Sequence, residues 1–344
     1  VLTYLQTGEI PKIEENIQEE AENPKEKPDF YEVHGQDGAK RAALVAAAGF
    51  HNLLMIGPPG AGKSMIASRI PGILPSMTEE ESIELSAIYS VIGKLPPNGS
   101  LIKERPFRAP HHTITAKALC GGGTIPGPGE ISLAHCGVLF LDELPEFHRE
   151  TLEVLRQPLE NGSMQIHRCG YTYDFPAQFM LVGAMNPCPC GFYPDLSRCH
   201  CSYTAVRRYQ EKISMPLLDR MDMMIEVSAL SYPQWNQKTQ EMSSTQMKKK
   251  VERVREIQKE RRKSQSFLFN SRMGNQELEE YCALGTQEKK LMKKAFDELK
   301  ISARGYTKIL KVARTIADLE EKEQIQTEHL QEALCYRIGN GIYR

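Results

Sequence analysis

The stretch Gly57-Pro-Pro-Gly-Ala-Gly-Lys-Ser64 decides the fold class of this chain. It fits the pattern G-x-x-x-x-G-K-[ST], in which glycines let successive backbone N–H groups point at one anion. The apolar run of residues 52–57 leads into it, and residues 65–70 have the pattern of a helix. A strand before the loop and a helix after it are the context in which this pattern binds phosphate, because the helix N-terminus adds positive charge. The stretch therefore predicts a parallel sheet that binds a nucleotide.

The residues of this loop have distinct expected roles. Lys63 is expected to reach the β- and γ-phosphates of ATP, and the Ser64 hydroxyl is expected to bind Mg²⁺. We assign the nucleotide contacts to the complete loop, which consists of Gly57, Pro58, Pro59, Gly60, Ala61, Gly62, Lys63 and Ser64.

A second apolar run, residues 138–141, predicts a buried strand that ends at Asp142 and Glu143. Asp142 is expected to hold Mg²⁺, directly or through water, and Glu143 to orient and deprotonate the attacking water. A strand that merely ends in two acids is the alternative. Adjacent Asp and Glu favour hydrolysis over binding alone.

A third run, residues 179–184, leads to Asn186. If this strand lies between the other two, the Asn186 amide could hydrogen-bond the γ-phosphate or the water. The alternative is an ordinary Asn-Pro turn, since Pro187 follows.

Strand and helix patterns alternate up to residue 233, and beyond it only helical patterns recur. This order predicts an α/β fold, a parallel sheet flanked by helices, followed by a smaller all-α lid domain. We place the α/β domain at residues 29–235 and the lid domain at residues 236–344. The acidic, proline-containing residues 1–28 are expected to be a linker.

The composition is that of an ordinary globular protein. The chain has 344 residues, of which 40% are hydrophobic and 25% charged, and this excludes a wholly disordered chain or a small disulfide scaffold. No stretch approaches the roughly 20 apolar residues of a membrane span and no secretory signal is visible, so we expect a cytoplasmic protein. Nine cysteines without such a signal indicate reduced thiols or a metal site.

Charge is unevenly divided along the chain. Residues 1–235 carry a formal charge of −8 and residues 236–344 one of +7. The basic part could face a polyanion, although charged helical surfaces are common. The same two interpretations apply to residues 248–263, which hold nine basic and three acidic residues.

The order of these motifs resembles that of the AAA+ ATPases. Arg105–His112, Gly127–Gly137 and Leu141–Phe147 resemble segments of the magnesium-chelatase clade within them. Ala184–Gly191 and Ser302–Leu319 resemble the ComM/YifB, or magnesium-chelatase-like, subfamily of bacterial competence proteins. The resemblance implies the AAA+ fold, with ATP and Mg²⁺ as cofactors.

The resemblance also implies roles for single residues. Asn186 is similar to the sensor-1 residue, Arg220 resembles the arginine finger that reaches the neighbouring subunit's nucleotide, and Arg304 resembles the sensor-2 arginine on its own subunit's lid. His34 and Gln36 lie in a segment similar to the one that flanks the adenine base. Ordinary roles remain open, since Arg220 could be a surface salt-bridge partner and Arg304 a charge at a helix start.

An arginine supplied by a neighbour completes the site only at a subunit interface. A head-to-tail interface that closes gives a ring, and the resemblance implies six subunits. The subfamily carries an upstream domain with a Lon-protease-like fold, and residues 1–28 resemble its trailing end.

Four cysteines form two C-x-C pairs, Cys188 with Cys190 and Cys199 with Cys201. Four thiolates on one tight loop could bind a tetrahedral Zn²⁺ ion. The spacing is tighter than the usual C-x-x-C, so a reduced cysteine-rich loop is the alternative.

Residues 162–175 alternate with a period of two around a glycine, which predicts a β-hairpin. The resemblance implies that this hairpin, residues 163–175, points into the pore of the ring and contacts DNA through His167, Arg168, Tyr171 and Tyr173. The glycine-rich residues 120–129 could form a second, moving pore loop. Plain surface loops are the alternative for both.

These observations predict a ring-forming ATPase motor that acts on DNA, similar to the helicase that drives branch migration in natural transformation. One alternative is a chelatase-type ATPase that remodels a protein partner. Another is a nucleotide-dependent assembly switch without translocation. The loop residues do not separate the three, because fold does not determine function.

Overall fold

The computed structural model describes residues 28–337, apart from residues 98, 124–125, 169, 230–231, 233–241 and 262–268. The linker predicted for residues 1–28 therefore lies, except for its last residue, outside the described residues. The strands are β1 (Leu53–Ile56), β2 (Phe107–Arg108), β3 (Gly121–Gly122), β4 (Gly127–Pro128), β5 (Val138–Leu141), β6 (Ser163–Arg168), β7 (Tyr171–Pro176), β8 (Met180–Met185) and β9 (Met223–Glu226).

The helices lie between and after these strands. They are α1 (Asp37–Gly49), α2 (Lys63–Ile73), α3 (Glu79–Val91), α4 (Ala116–Cys120), α5 (Glu130–Leu133), α6 (Arg149–Glu153), α7 (Arg156–Asn161), α8 (Tyr203–Gln210), α9 (Met215–Leu218), α10 (Ser244–Arg261), α11 (Asn275–Tyr281), α12 (Thr286–Leu299), α13 (Ala303–Leu319) and α14 (Thr327–Cys335). Short 3₁₀ helices occupy Phe30–Glu32, Leu144–Glu146 and Asn270–Arg272.

Five strands form one parallel sheet in the order β2-β5-β8-β1-β9. The strand β8 lies between β1 and β5, with Val182 opposite Leu53 on one side and opposite Phe140 on the other. Because parallel strands end at the same edge, this order places the residues after β1, β5 and β8 side by side. The sheet and its flanking helices confirm the predicted α/β fold.

The alternation of side chains along each strand explains the two cores. In β1, Leu53 and Met55 face one hydrophobic cluster, and Leu54 and Ile56 face another. All four are buried, which is typical of parallel sheets covered on both faces.

The helices after residue 241 pack on one face of the sheet, beside α1 and α2. One continuous cluster contains Val251 of α10, Ile309 of α13 and Leu330 of α14 together with Leu53. The buried Gln258 amide donates to the Ala48 carbonyl at 3.0 Å. The predicted helical C-terminal region is thus present, and it shares its core with the sheet.

Two local features differ from the sequence expectation. Residues 149–160, which have the composition of a single helix, form the two short helices α6 and α7, because Pro158 has no N–H to donate to the carbonyl of Val154. The edge strand β2 was not predicted, since two residues carry no periodicity. Within the described residues, no helix is long and apolar enough to cross a bilayer.

Candidate functional site

The phosphate loop joins the carboxyl end of β1 to the start of α2. Gly62 has a φ of +89°, which a side chain would oppose, and it turns the chain into α2 at Lys63. The backbone N–H groups of the first turn of α2 have no partner within the helix, so they are available to an anion.

The Lys63 ammonium is buried and already surrounded by acceptors. It donates to the carbonyl oxygens of Gly57 at 2.6 Å and Pro58 at 2.9 Å. It also donates to Oδ1 of Asn186 at 3.2 Å, so the structure brings these two predicted residues together. Burial lowers the pKa of Lys63, and the carboxylates of Asp142 and Glu143 oppose this effect. The present acceptors of Lys63 are carbonyl and amide oxygens, which carry only partial negative charges. Phosphate oxygens would give the buried ammonium acceptors with a full negative charge.

The predicted magnesium ligands also lie together. Ser64 Oγ donates to Oδ2 of Asp142 at 2.6 Å, and the other oxygen of Asp142 accepts the N–H of Glu143 at 2.9 Å. A hydroxyl and a carboxylate are hard oxygen donors of the kind that Mg²⁺ binds beside nucleotide phosphates. The residues present therefore fit a magnesium ion between Ser64 and Asp142.

Glu143 is held in a strained backbone conformation, with a φ of +50°. Its exposed carboxylate lies 3.3 Å from Nδ1 of His112, whose ring packs against that of His111. The edge strand β2 positions this histidine, because it leads to residues 109–112 at the same edge of the sheet. The motif at residues 105–112 does not by itself indicate a role for His112. The pairing of β2 with β5 places this residue beside Glu143.

Gln36 also contacts the phosphate loop. It has a φ of +57°, and its amide donates to the carbonyls of Ala61 at 3.2 Å and Ser228 at 2.6 Å. His34 is exposed two residues earlier. Gln36 thus precedes α1 beside the loop, where an adenine contact is predicted.

Arg220 and Arg304 form a separate group around one carboxylate. Glu160 at the end of α7 pairs with Arg220, and it lies 3.7 Å from Arg304, which also approaches Asp219 at 3.4 Å. Arg220 is buried, and its Nη1 donates to the Pro216 carbonyl at 2.6 Å. Among the described residues, no hydrogen bond or ion pair joins either arginine to the phosphate loop.

These two arginines line a cavity of about 310 Å³ between the sheet and the C-terminal helices. Lys308, Lys311 and Arg272 add positive charge to its wall, against Glu160, Asp219 and Asp222. The sequence carried no signal for Glu160, which is one acidic residue on a short helix.

The four predicted cysteine ligands lie in one cluster. Their Sγ atoms are all within 4.8 Å of one another, and Cys188 and Cys199 are buried. The backbone N–H of Phe192 is the main cause that lowers the pKa of Cys190 to about 6. The cluster follows directly on Asn186 and precedes α8.

The predicted hairpin is present as β6 and β7, which form an antiparallel ladder separate from the main sheet. Arg168 lies opposite Tyr171, and His167 Nδ1 lies 3.0 Å from the Thr172 hydroxyl. Tyr171 and Tyr173 are 69% and 37% exposed. The outer half of the hairpin therefore offers aromatic and basic side chains to solvent.

The glycine-rich segment forms a small antiparallel pair, β3 with β4. A Cβ on Gly121 would lie 2.3 Å from the Gly127 carbonyl oxygen, so the two strands approach more closely than side chains would permit. The two ends of this segment are therefore held together by antiparallel strand pairing.

Known families match this chain in two adjoining parts. The model of the magnesium chelatase subunit ChlI matches residues 29–235, and that of the ChlI C-terminal region matches residues 241–337. The two matches follow the same division as the sheet and the C-terminal helices.

Several curated proteins are similar over most of the chain. It is 47% identical to the competence protein ComM of Haemophilus influenzae over 95% of this chain and 64% of that protein. It is 43% identical to YifB of Escherichia coli over 90% of this chain and 60% of that protein. A magnesium-chelatase 38 kDa subunit of Rhodobacter capsulatus is 24% identical over 50% of the chain and 54% of that subunit. The chain thus spans less than two thirds of the length of these relatives.

Proposed function

We propose, since the chain belongs to the magnesium-chelatase family of AAA+ ATPases, that it is an ATP-hydrolysing motor that acts on DNA as one subunit of a ring. The similarity to a competence protein supports DNA as the polymer and branch migration during transformation as the process. We place this activity in the cytoplasm, with ATP and Mg²⁺ as cofactors.

The contacts of the site suggest how hydrolysis proceeds. On nucleotide binding, Lys63 would exchange its carbonyl acceptors for the β- and γ-phosphate oxygens. Ser64 and Asp142 would hold a magnesium ion, which would neutralise phosphate charge. Glu143 takes a proton from the attacking water, and His112 keeps its carboxylate in place. Asn186, beside Lys63, orients the γ-phosphate or the water.

The neighbouring subunit would complete this site. Arg220 lies apart from its own phosphate loop, and its Nε is buried without a hydrogen-bond partner among the described residues. Because this atom is buried and Glu160 already pairs with the guanidinium, Arg220 must leave Glu160 to bind a new anionic acceptor. We assign that acceptor to the γ-phosphate held by the next subunit of a hexamer.

The exposed hairpin is the observation that carries the DNA assignment. Arg168 can pair with phosphates, and aromatic rings stack on bases at about 1–3 kcal/mol each without reading the sequence. The exposure of Tyr171 and Tyr173 matters here, because tyrosines packed into the core would be unavailable to DNA. A translocating motor needs this kind of contact, strong but indifferent to sequence.

The test compares hairpin variants with a matched control. We expect the combined change of His167, Arg168, Tyr171 and Tyr173 to Ala to preserve basal ATP hydrolysis and the melting temperature, and to abolish DNA stimulation and strand displacement. Tyr31→Ala removes a tyrosine of similar exposure elsewhere and should change none of these. DNA stimulation that survives in the hairpin variant would contradict the assignment.

The alternative functions give different results in the same assay. Stimulation by a protein partner and not by DNA would support a chelatase-type remodelling ATPase, for which the 24% identity to a magnesium-chelatase subunit is the observation in favour. Slow hydrolysis that neither partner stimulates would support an assembly switch.

A further inference from the structure

We propose that Cys188, Cys190, Cys199 and Cys201 bind one zinc ion, and that this ion fixes the loop that supports the phosphate loop. The metal itself is independent of the proposed function. The support for the phosphate loop rests on the proposed nucleotide site.

The distances between the sulfur atoms carry the first part. Cys188 Sγ lies 3.3 Å from Cys190 Sγ and 3.8 Å from Cys199 Sγ, and Cys190 and Cys199 are 3.6 Å apart. Tetrahedral Zn²⁺ with Zn–S bonds of about 2.3 Å requires sulfur atoms about 3.8 Å apart. The cluster is therefore already near the size of a mononuclear site. A four-iron cluster needs more space between its cysteines than this one offers.

The surroundings of the cluster are built to hold its sulfurs in place. The Tyr193 N–H points at Cys188 Sγ, 3.4 Å away, and the Arg198 guanidinium covers the Phe192 ring at 4.0 Å. Cys188, Cys199 and Val206 form a small hydrophobic cluster of their own. Its size is too small to order a loop of this length by burial alone, and metal binding commonly supplies such folding energy.

The loop between the two cysteine pairs touches the phosphate loop. Gly191 has a φ of +86°, and a Cβ there would lie 2.4 Å from Cδ of Pro59. The Gln210 amide of α8 donates to the Pro187 carbonyl at 3.0 Å, beside Asn186. A metal that fixes this loop would thereby hold Pro59 and Asn186 in the positions that the nucleotide requires.

The metal content of the purified protein tests the first part. We expect about one zinc per chain by elemental analysis, and a cobalt-loaded protein with the visible absorption of a tetrahedral thiolate site. Cys190→Ser and Cys199→Ser should each lose the metal. Cys120→Ser and Cys335→Ser change cysteines outside the cluster and should keep it. Metal-free protein with four reduced thiols, or iron in place of zinc, would overturn the site.

A glycine variant tests the second part without removing a ligand. Gly191→Ala should retain zinc but bind a non-hydrolysable ATP analogue about tenfold more weakly, since a displaced loop must be reordered on binding. Lys63→Ala removes a direct nucleotide contact, so it should likewise retain zinc and should abolish nucleotide binding. If nucleotide affinity is unchanged in Gly191→Ala and in the metal-free cysteine variants, the cysteine loop does not support the phosphate loop. Zinc binding by the four cysteines would remain valid in that case.

Discussion

At the scale of single residues, the site divides binding from chemistry. Lys63 is buried under the phosphate loop, whereas the Glu143 carboxylate is exposed at the edge of the sheet. Lys63 can neutralise the charge of bound phosphate groups. Glu143 can act only on a water molecule in front of the γ-phosphate. Changing one or the other should therefore produce different defects.

We expect Lys63→Ala to abolish nucleotide binding, and Glu143→Gln to preserve binding while lowering kcat by about 10²–10⁴, the usual contribution of a general base. Equilibrium binding of a fluorescent nucleotide and steady-state hydrolysis measure the two effects. Glu146→Gln removes an exposed carboxylate three residues away and should leave both unchanged. A Glu143→Gln protein that hydrolyses ATP at the wild-type rate would remove Glu143 from the mechanism.

At the scale of elements, α13 links the C-terminal helices through a buried charge network. Asp318 is 1% exposed and accepts from Arg314 at 3.0 Å, from Arg261 at 2.6 Å and from Asn270 at 2.8 Å. One carboxylate thus balances two guanidinium groups carried by α10 and α13. Removing it leaves charged donors buried without an anion, which costs more than the loss of the pair itself.

We expect Asp318→Ala to lower the free energy of unfolding by about 3–5 kcal/mol, the range for breaking a buried ion pair. Denaturant titration followed by circular dichroism measures this. Asp297→Ala, at an exposed position of α12, should change it by less than about 0.5 kcal/mol. A loss below 1 kcal/mol for Asp318→Ala would show that water or rearranged carbonyl groups satisfy the two arginines.

At the scale of the whole molecule, the candidate site is divided between two places. The phosphate loop with Asp142 and Glu143 forms one, and Arg220 with Arg304 forms the other, around Glu160. If Arg220 acts on the nucleotide, as we propose, a second copy in head-to-tail contact would bring the two groups together. Assembly and hydrolysis should then be inseparable.

We expect Arg220→Ala and Glu143→Gln to be inactive separately and to recover activity when mixed. In an equimolar mixed ring, about one interface in four combines an intact Glu143 with an intact Arg220, so about a quarter of the wild-type rate is expected. Steady-state ATP hydrolysis of the mixture measures this.

The control for mixing is a pair of variants with defects in the same half-site. Lys63→Ala mixed with Glu143→Gln should stay inactive, because every subunit then lacks either Lys63 or Glu143 and no interface contains both. Lys63→Ala mixed with Arg220→Ala should recover like the first pair. Absence of recovery in rings shown to be mixed would contradict a role of Arg220 between subunits.

Local sequence patterns predict the helices and strands and the functional residues that lie close together along the chain. The phosphate loop with its strand and helix, the strands at residues 138–141 and 180–185, and the helical character of the C-terminal region follow from local composition and periodicity. The fold class was therefore predictable, as were Lys63, Ser64, Asp142 and the cysteine pairs. Each of these signals lies within a short window, where backbone geometry relates residue spacing directly to direction.

Contacts between residues far apart in the sequence depend on how the complete chain folds. The placement of β8 beside β1 brings Asn186 to Lys63, and the edge strand β2 brings His112 to Glu143. The position of the end of α7 brings Glu160 beside both Arg220 and Arg304. These contacts join residues tens to more than a hundred positions apart. Their partners are set by strand order and by the burial of both faces of the sheet, which are properties of the whole chain and leave no pattern in any one segment.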